Sequence, residues 1–191
     1  VIAARGRPAV FLDRDGVLNE AFVRDGVPTP PRSVGEFRVL PGVARACADL
    51  KRAGFVLVVV TNQPDVARGK LAAAEVGTMH ERLRSCVPLD EICVCMHDDS
   101  DRCGCRKPQP GMLLDAAERL NLDLARSASV GDRWRDVEAA RRAGVRAVYV
   151  ERHYDEPAPV GAHVAVAVTD LAEAAAWIRG QEWATEGHRD D

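Results

Sequence analysis

The run from Phe55 to Val60 is continuous, apolar and largely β-branched, and it stops abruptly at Thr61, Asn62 and Gln63. A run of this kind is a strand covered on both faces, which points to a parallel sheet between layers of helix. The same signature recurs from Pro8 to Leu12, which breaks into Asp13, Arg14, Asp15 and Gly16. Between the two, Val43, Ala46, Cys47 and Leu50 recur at helical spacing, with Pro41 suited to a first turn and Gly54 closing the segment.

The alternation continues along the chain. A helix is predicted near Leu71 to Cys86, a strand near Glu91 to Cys95, a helix after Pro110 and a strand near Ala128 to Val130. A helix from about Trp134 to Ala143, a strand from Val145 to Val150 and a last strand and helix across Val164 to Ile178 complete the pattern. Repeated β/α alternation predicts an α/β fold, a Rossmann-like parallel sheet with helices on both faces. Ligands of such a sheet lie outside the carboxyl ends of its strands, so the polar loops that follow the strands form the functional edge. Residues 20–40, rich in Pro, Gly and Arg, are too short for a large cap domain and are expected as a loop over that edge.

A chain of 191 residues can bury a full core as one domain, expected over residues 1–180, with a polar, frayed tail at 181–191. The net charge of -3 and the interspersed Arg, Asp and Glu leave no basic field for nucleic acid and no polybasic face for a membrane. The longest apolar stretch, Phe55 to Val60, is too short to cross a bilayer. A cytoplasmic monomer acting on a small molecule is the expectation.

Four of the six cysteines, Cys93, Cys95, Cys103 and Cys105, fall within thirteen positions. In a reducing compartment that crowding indicates metal binding rather than disulfides. Cys95, His97, Cys103 and Cys105 offer three thiolates and an imidazole, a closed tetrahedral set for structural Zn2+. The rival set replaces His97 by Cys93, because alternate residues of a strand share a face. Cys47 and Cys86 are expected as ordinary buried residues.

Asp13 and Asp15 stand two positions apart beside Gly16, which permits a tight turn. Alone, this pattern is common in ordinary turns. Three further polar signals lie on the same edge: Thr61 after the second strong strand, Lys107 behind the cysteine cluster, and the segment from Gly131 and Asp132 to Asp136 after a later strand.

Taken in order, Asp13-x-Asp15, Thr61, Lys107 and Gly131-Asp132-x-x-x-Asp136 resemble the four motifs of the haloacid dehalogenase superfamily. The resemblance implies that Asp13 is a nucleophile forming a phospho-aspartate and that Asp15 is the general acid and base. It implies that Mg2+ is held by Asp13, Asp132 and the backbone carbonyl of Asp15, and that Thr61 and Lys107 stabilise the phosphoryl oxygens. Asp136 orients Lys107 or a metal-bound water, or else serves as a helix N-terminal charge.

The cysteine loop, with Phe11 to Gly16, Thr61 to Gln63, Ala67 to Lys70 and Cys105 to Met112, is similar to the branch containing heptose-1,7-bisphosphate and histidinol-phosphate phosphatases. Heptose bisphosphate, hydrolysed at C7, is the preferred substrate, with Asn62, Gln63 and Arg106 as substrate-binding residues. Two departures separate the chain from many heptose enzymes. Pro64-Asp65 replaces Ser-Gly, and only five residues separate His97 from Cys103, a spacing shared with the histidinol branch. Histidinol phosphate or another small sugar phosphate is the alternative. A catalytically silent sugar-phosphate-binding protein would be expected to lack Asp13, Asp15 or Lys107, and all three are present.

Overall fold

The structure, a computed structural model, describes residues 6–24, 26–152 and 154–185. Its centre is a six-stranded sheet of β1 (Ala9–Leu12), β4 (Val56–Asn62), β5 (Glu91–Cys95), β6 (Ala128–Gly131), β7 (Arg146–Val150) and β8 (Val164–Val168). The spatial order is β5-β4-β1-β6-β7-β8, and every neighbouring pair is parallel. The chain winds outward from β1 to β4 and β5, then returns to the other side of β1 for β6, β7 and β8. The reversal therefore falls between β1 and β6, where an open α/β sheet leaves a crevice at its carboxyl edge.

Both faces of the sheet are covered. On one face α1 (Val43–Arg52), α2 (Ala73–Cys86) and α5 (Leu171–Arg179) bury Leu50, Met79, Leu83 and Ile178 against Val10, Leu12, Leu57 and Val59. On the other, α3 (Gly111–Leu120) and α4 (Trp134–Ala143) bury Leu113, Ala116, Val137 and Ala140 against Phe11, Val58 and Val60. Alternate residues of β1 and β4 thus enter opposite cores, which is why neither strand tolerates a polar position until its tip.

Three expectations are corrected. Residues 20–40 are not wholly loop: β2 (Phe22–Arg24) and β3 (Val27–Thr29) form an antiparallel hairpin. Arg24 draws it together by donating to Thr29 Oγ1 at 3.0 Å and to Glu36 Oε2 at 3.1 Å, contacts between positions too far apart for a local pattern to reveal. Cys86 is exposed, because it ends α2 on the solvent side, whereas Cys47 is buried as expected. The expected tail begins with a short helix, α6 (Glu182–Thr185), whose Trp183 ring lies 6.2 Å from that of Trp177. Residues 186–191 of that tail lie outside the described residues. Among the described residues no helix is long and apolar enough to cross a membrane.

Candidate active site

The strand tips bring the predicted residues to one place. Asp13 follows β1, Thr61 ends the apolar part of β4, and Asp132 and Asp136 stand after β6 and in the first turn of α4. Because β1 pairs with both β4 and β6, its tip is flanked by theirs. Lys107 arrives from the loop between β5 and α3 and is 3% exposed, an ammonium that must be paired to be buried. Its Nζ lies 2.8 Å from Asp13 Oδ1 and 2.5 Å from Asp136 Oδ1, and it donates to the Val60 carbonyl at 2.8 Å. Burial works against this ammonium, but Asp13 and Asp136 outweigh it and hold the charge.

Asp13 Oδ1 also accepts from the Arg14 backbone N–H at 2.8 Å. Both bonds fall on that oxygen, which leaves Oδ2 for other chemistry. Burial, then the Asp136 charge, pushes the Asp13 carboxyl up to about 6 against the pull of Lys107. Asp15 is held on both oxygens: Arg14 Nη2 at 3.0 Å from each, Asn19 Nδ2 at 2.9 Å from Oδ1 and Gln63 Nε2 at 2.7 Å from Oδ2. Arg14 is itself fully buried, with His80 Nε2 3.2 Å from its Nη1 and the Phe37 ring beneath its guanidinium.

Asn62 and Gln63, expected with Arg106 to bind substrate, are placed differently from each other. Asn62 lines the cavity, but its amide is spent on the Lys107 backbone, accepting from its N–H at 3.1 Å and donating to its carbonyl at 3.0 Å. Gln63 is fully buried, outside the cavity lining, and donates to Asp15 and to Thr61 Oγ1.

A cavity of ≈ 250 Å3 opens over these groups, lined by Asp13, Asp15, Thr61 and Lys107 on the floor, by Val27 to Pro30 of the hairpin, and by Arg68, Arg106, Arg133 and Arg135. Arg106 Nε donates to Asp99 Oδ1 at 2.8 Å, while its buried Nη1 has no partner among the described residues. Asp65 also lines the cavity, with Arg68 Nη1 3.5 Å from its Oδ1.

Carboxylate oxygens of Asp13, Asp132 and Asp136 lie within 4.8 Å of one another. Asp132 is 1% exposed, and burial together with the charges of Asp13 and Asp136 pushes its carboxyl well above the usual range. Its Oδ1 is buried without a hydrogen-bond partner. Three clustered carboxylates against one ammonium, with an orphaned oxygen among them, fit a hard divalent cation.

The cysteine loop presents a second cluster. Cys105 Sγ lies 3.3 Å from the Sγ atoms of Cys95 and Cys103, and Cys95 Sγ lies 3.7 Å from Cys103 Sγ. His97 Nδ1 is 3.6 Å from Cys95 Sγ and 3.4 Å from Cys105 Sγ. These separations are too long for disulfides and close to the edges of about 3.5–3.8 Å that a tetrahedral zinc site of thiolates and imidazole requires. Cys93 stands apart, its Sγ accepting from Arg119 Nη2 at 3.3 Å. It lies one pleat further from the strand tip than Cys95, out of reach of the loop that brings Cys103 and Cys105.

Sequence reasoning missed the segment after β7. Tyr154 donates its hydroxyl to Asp132 Oδ2 at 2.7 Å, and Glu156 pairs with Arg133 Nε at 2.6 Å. These polar residues also follow a strand tip, but no spacing pattern in the sequence marks them out.

Fold and site together define an α/β hydrolase with carboxylates gathered at the tips of a parallel sheet. The haloacid dehalogenase-like hydrolase family model matches residues 31–144. The D-glycero-beta-D-manno-heptose-1,7-bisphosphate 7-phosphatase of Escherichia coli (strain K12) is 40% identical over 156 residues, 74% of this chain and 78% of its own. The protein of the same name from Vibrio cholerae is 39% identical over 153 residues, 73% of this chain and 78% of its own. Among solved structures, the D,D-heptose 1,7-bisphosphate phosphatase from B. bronchiseptica complexed with magnesium and phosphate aligns with a TM-score of 0.74 and 33% identity, covering 90% of this chain and 97% of that one. The chain belongs to the haloacid dehalogenase-like hydrolase family.

Proposed function

We propose that the protein is a Mg2+-dependent phosphatase that removes the C7 phosphate of a heptose 1,7-bisphosphate through a phospho-aspartate on Asp13. The observation that carries this reading is the composition of one cavity: a carboxylate nucleophile paired with Lys107 on its floor, and a separate group of arginines on its walls. A bisphosphate can use both.

Asp13 Oδ2 attacks phosphorus while Lys107 and the Thr61 hydroxyl meet the charge on the phosphoryl oxygens. The bond from phosphorus to the sugar oxygen breaks, and the departing alkoxide takes its proton from Asp15. Asp15 then receives the proton of an attacking water, which breaks the bond between phosphorus and Asp13 and releases inorganic phosphate. Arg14, Asn19 and Gln63 keep Asp15 in reach of both oxygens. Asp13, Asp132 and the Asp15 backbone carbonyl are the proposed Mg2+ ligands, with Asp136 beside them; the ion when bound offsets repulsion between Asp13 and the phosphate. Cys95, His97, Cys103 and Cys105 are the proposed Zn2+ ligands, fixing the loop from which Arg106 and Lys107 project.

Histidinol phosphate is the second reading, favoured by Asp65 in the cavity wall, which could face a cationic amine. Arg68 already neighbours that carboxylate, which weakens it as an amine site. Phosphate release from heptose 1,7-bisphosphate, histidinol phosphate and hexose phosphates, with and without Mg2+, tests the assignment. Heptose bisphosphate should give the highest kcat/KM; faster turnover of histidinol phosphate reverses the substrate order, and no Mg2+-dependent release from any of them sinks the mechanism.

A further inference from the structure

The two oxygens of Asp132 are not equivalent. Oδ2 accepts from the Tyr154 hydroxyl at 2.7 Å, whereas Oδ1 is buried without a partner. The torsion that carries a carboxylate is broad and two-fold, so an unrestrained Asp would sample many orientations of its oxygens. One donor fixed in space on Oδ2 removes that freedom and leaves Oδ1 without a protein hydrogen-bond partner.

The hydroxyl is fixed in space because the segment carrying it is anchored on every side. Arg152 donates to the Gly16 carbonyl through Nη2 at 2.9 Å and Nε at 3.2 Å, and to the Thr169 carbonyl at 3.1 Å. The Asp155 N–H donates to the Gly26 carbonyl at 3.2 Å, and Glu156 pairs with Arg133 Nε and Nη2 at 2.6 and 2.7 Å. The segment thus ties the tip of β7 to the Asp13–Gly16 turn, the hairpin and the residue after Asp132. Gly16 makes room for the contact: a Cβ there would lie 1.8 Å from Asp132 Oδ2 and 2.9 Å from the Tyr154 hydroxyl oxygen. Tyr154 is not among the cavity-lining residues, so it meets Asp132 from behind rather than from the substrate side.

We propose that Tyr154 is a positioning residue of the metal site, whose hydroxyl locks the Asp132 carboxylate with Oδ1 free to ligate, and that Arg152, Asp155 and Glu156 form the clasp holding it there. This rests on the Mg2+ reading above. Partners of metal ligands that act in this way typically cost 10–100-fold in metal affinity when removed.

The test is calorimetric titration of MgCl2 into wild type, Tyr154→Phe and Asp132→Asn, each freed of Mg2+ but retaining any zinc. Tyr154→Phe should bind Mg2+ about tenfold or more weakly. Its kcat at saturating Mg2+ and its KM for the sugar phosphate should stay within about twofold of wild type, because the hydroxyl touches neither substrate nor the reacting atoms. Equal Mg2+ affinity in wild type and Tyr154→Phe overturns the inference and leaves the metal reading standing. An isotherm of wild type no different from that of Asp132→Asn overturns the metal reading and this inference with it. If near-ultraviolet circular dichroism shows that Tyr154→Phe has lost its fold, Arg152→Gln replaces it. That variant loosens the clasp without removing the hydroxyl and should weaken Mg2+ binding several-fold; wild-type affinity in Arg152→Gln overturns the clasp.

Discussion

Lys107 Nζ lies 2.5 Å from Asp136 Oδ1, and the other oxygen of that carboxylate accepts from the Arg133 backbone N–H at 3.0 Å. One side chain therefore does two things that looked like alternatives in the sequence. It satisfies an open backbone donor at the start of α4, and it holds the buried ammonium that also reaches Asp13. The first turn of α4 is thereby tied to the tip of β1 through a single lysine.

Asp136→Asn keeps the size of the side chain and removes its charge, leaving Lys107 free to shift towards Asp13. We expect kcat to fall on the order of tenfold or more with KM changed little, since the loss falls on transition-state charge rather than on binding. Steady-state phosphate release measures this. An unchanged kcat would mean that Asp13 and the Val60 carbonyl suffice to place the ammonium.

Asp13→Asn should abolish turnover, because an amide neither attacks phosphorus nor supplies ligand charge. Asp15→Asn should slow turnover about 10²–10⁴-fold while sugar-phosphate binding persists. Binding is read by calorimetry and turnover by phosphate release. Normal turnover in Asp15→Asn would move the proton-transfer role to another residue.

His80 gives a pH dependence of stability. Burial, then the Arg14 charge, brings its imidazole down to about 4 from 6.5. The unfolded chain therefore binds more protons than the folded one between about pH 6.5 and pH 4, so this contribution is complete above that window and is lost as pH falls through it. The loss across the whole window is on the order of 3 kcal/mol. Urea unfolding at pH 7 and at pH 4.5 should show a smaller drop in His80→Gln than in wild type. Equal drops would place the acid sensitivity elsewhere.

The sheet was legible because β1 and β4 are buried on both faces and so carry unbroken apolar runs, and Asp13 and Thr61 at the cavity were legible because each run ends at one of them. The hairpin of Phe22–Arg24 and Val27–Thr29 was not: it is held by Arg24 reaching Glu36, a pairing that no local period encodes. Gln63 is a related case. It stands next to Asn62 but beyond the end of β4, where no strand period applies, and its amide donates to Asp15 and Thr61 rather than into the cavity. Tyr154 escaped notice because a lone Tyr in a loop carries no spacing signal; only the fold brings it to Asp132 across 22 positions.

Metal analysis of the purified protein should find one zinc per chain. His97→Ala should lose it and unfold at lower temperature, because the remaining thiols would be left clustered without the ion that organises the loop. Cys93→Ala should retain it, since the Cys93 sulfur is engaged with Arg119 instead. The reverse pattern would favour the set of four cysteines.

Substrate choice turns on Arg106. Its Nε is held by Asp99 at 2.8 Å, its Nη1 is buried without a partner, and it lines the same cavity as Lys107. A guanidinium with one edge tethered and another donor unsatisfied is preorganised for an anion, because binding orders little that is not already ordered. If the substrate is a bisphosphate, Lys107 meets the reacting phosphoryl group and Arg106 the distal one. Arg106→Ala should then lower kcat/KM for heptose 1,7-bisphosphate by on the order of tenfold or more, while a heptose monophosphate phosphorylated only at C7 loses little. Parallel assays on the two substrates separate this from damage to the loop, which would slow both alike. Asp99→Asn provides the complement: it releases the tether without removing the cation, so it should raise KM for the bisphosphate and leave the monophosphate unchanged. Equal losses on both substrates in Arg106→Ala would assign Arg106 to the loop and remove the distal-anion site.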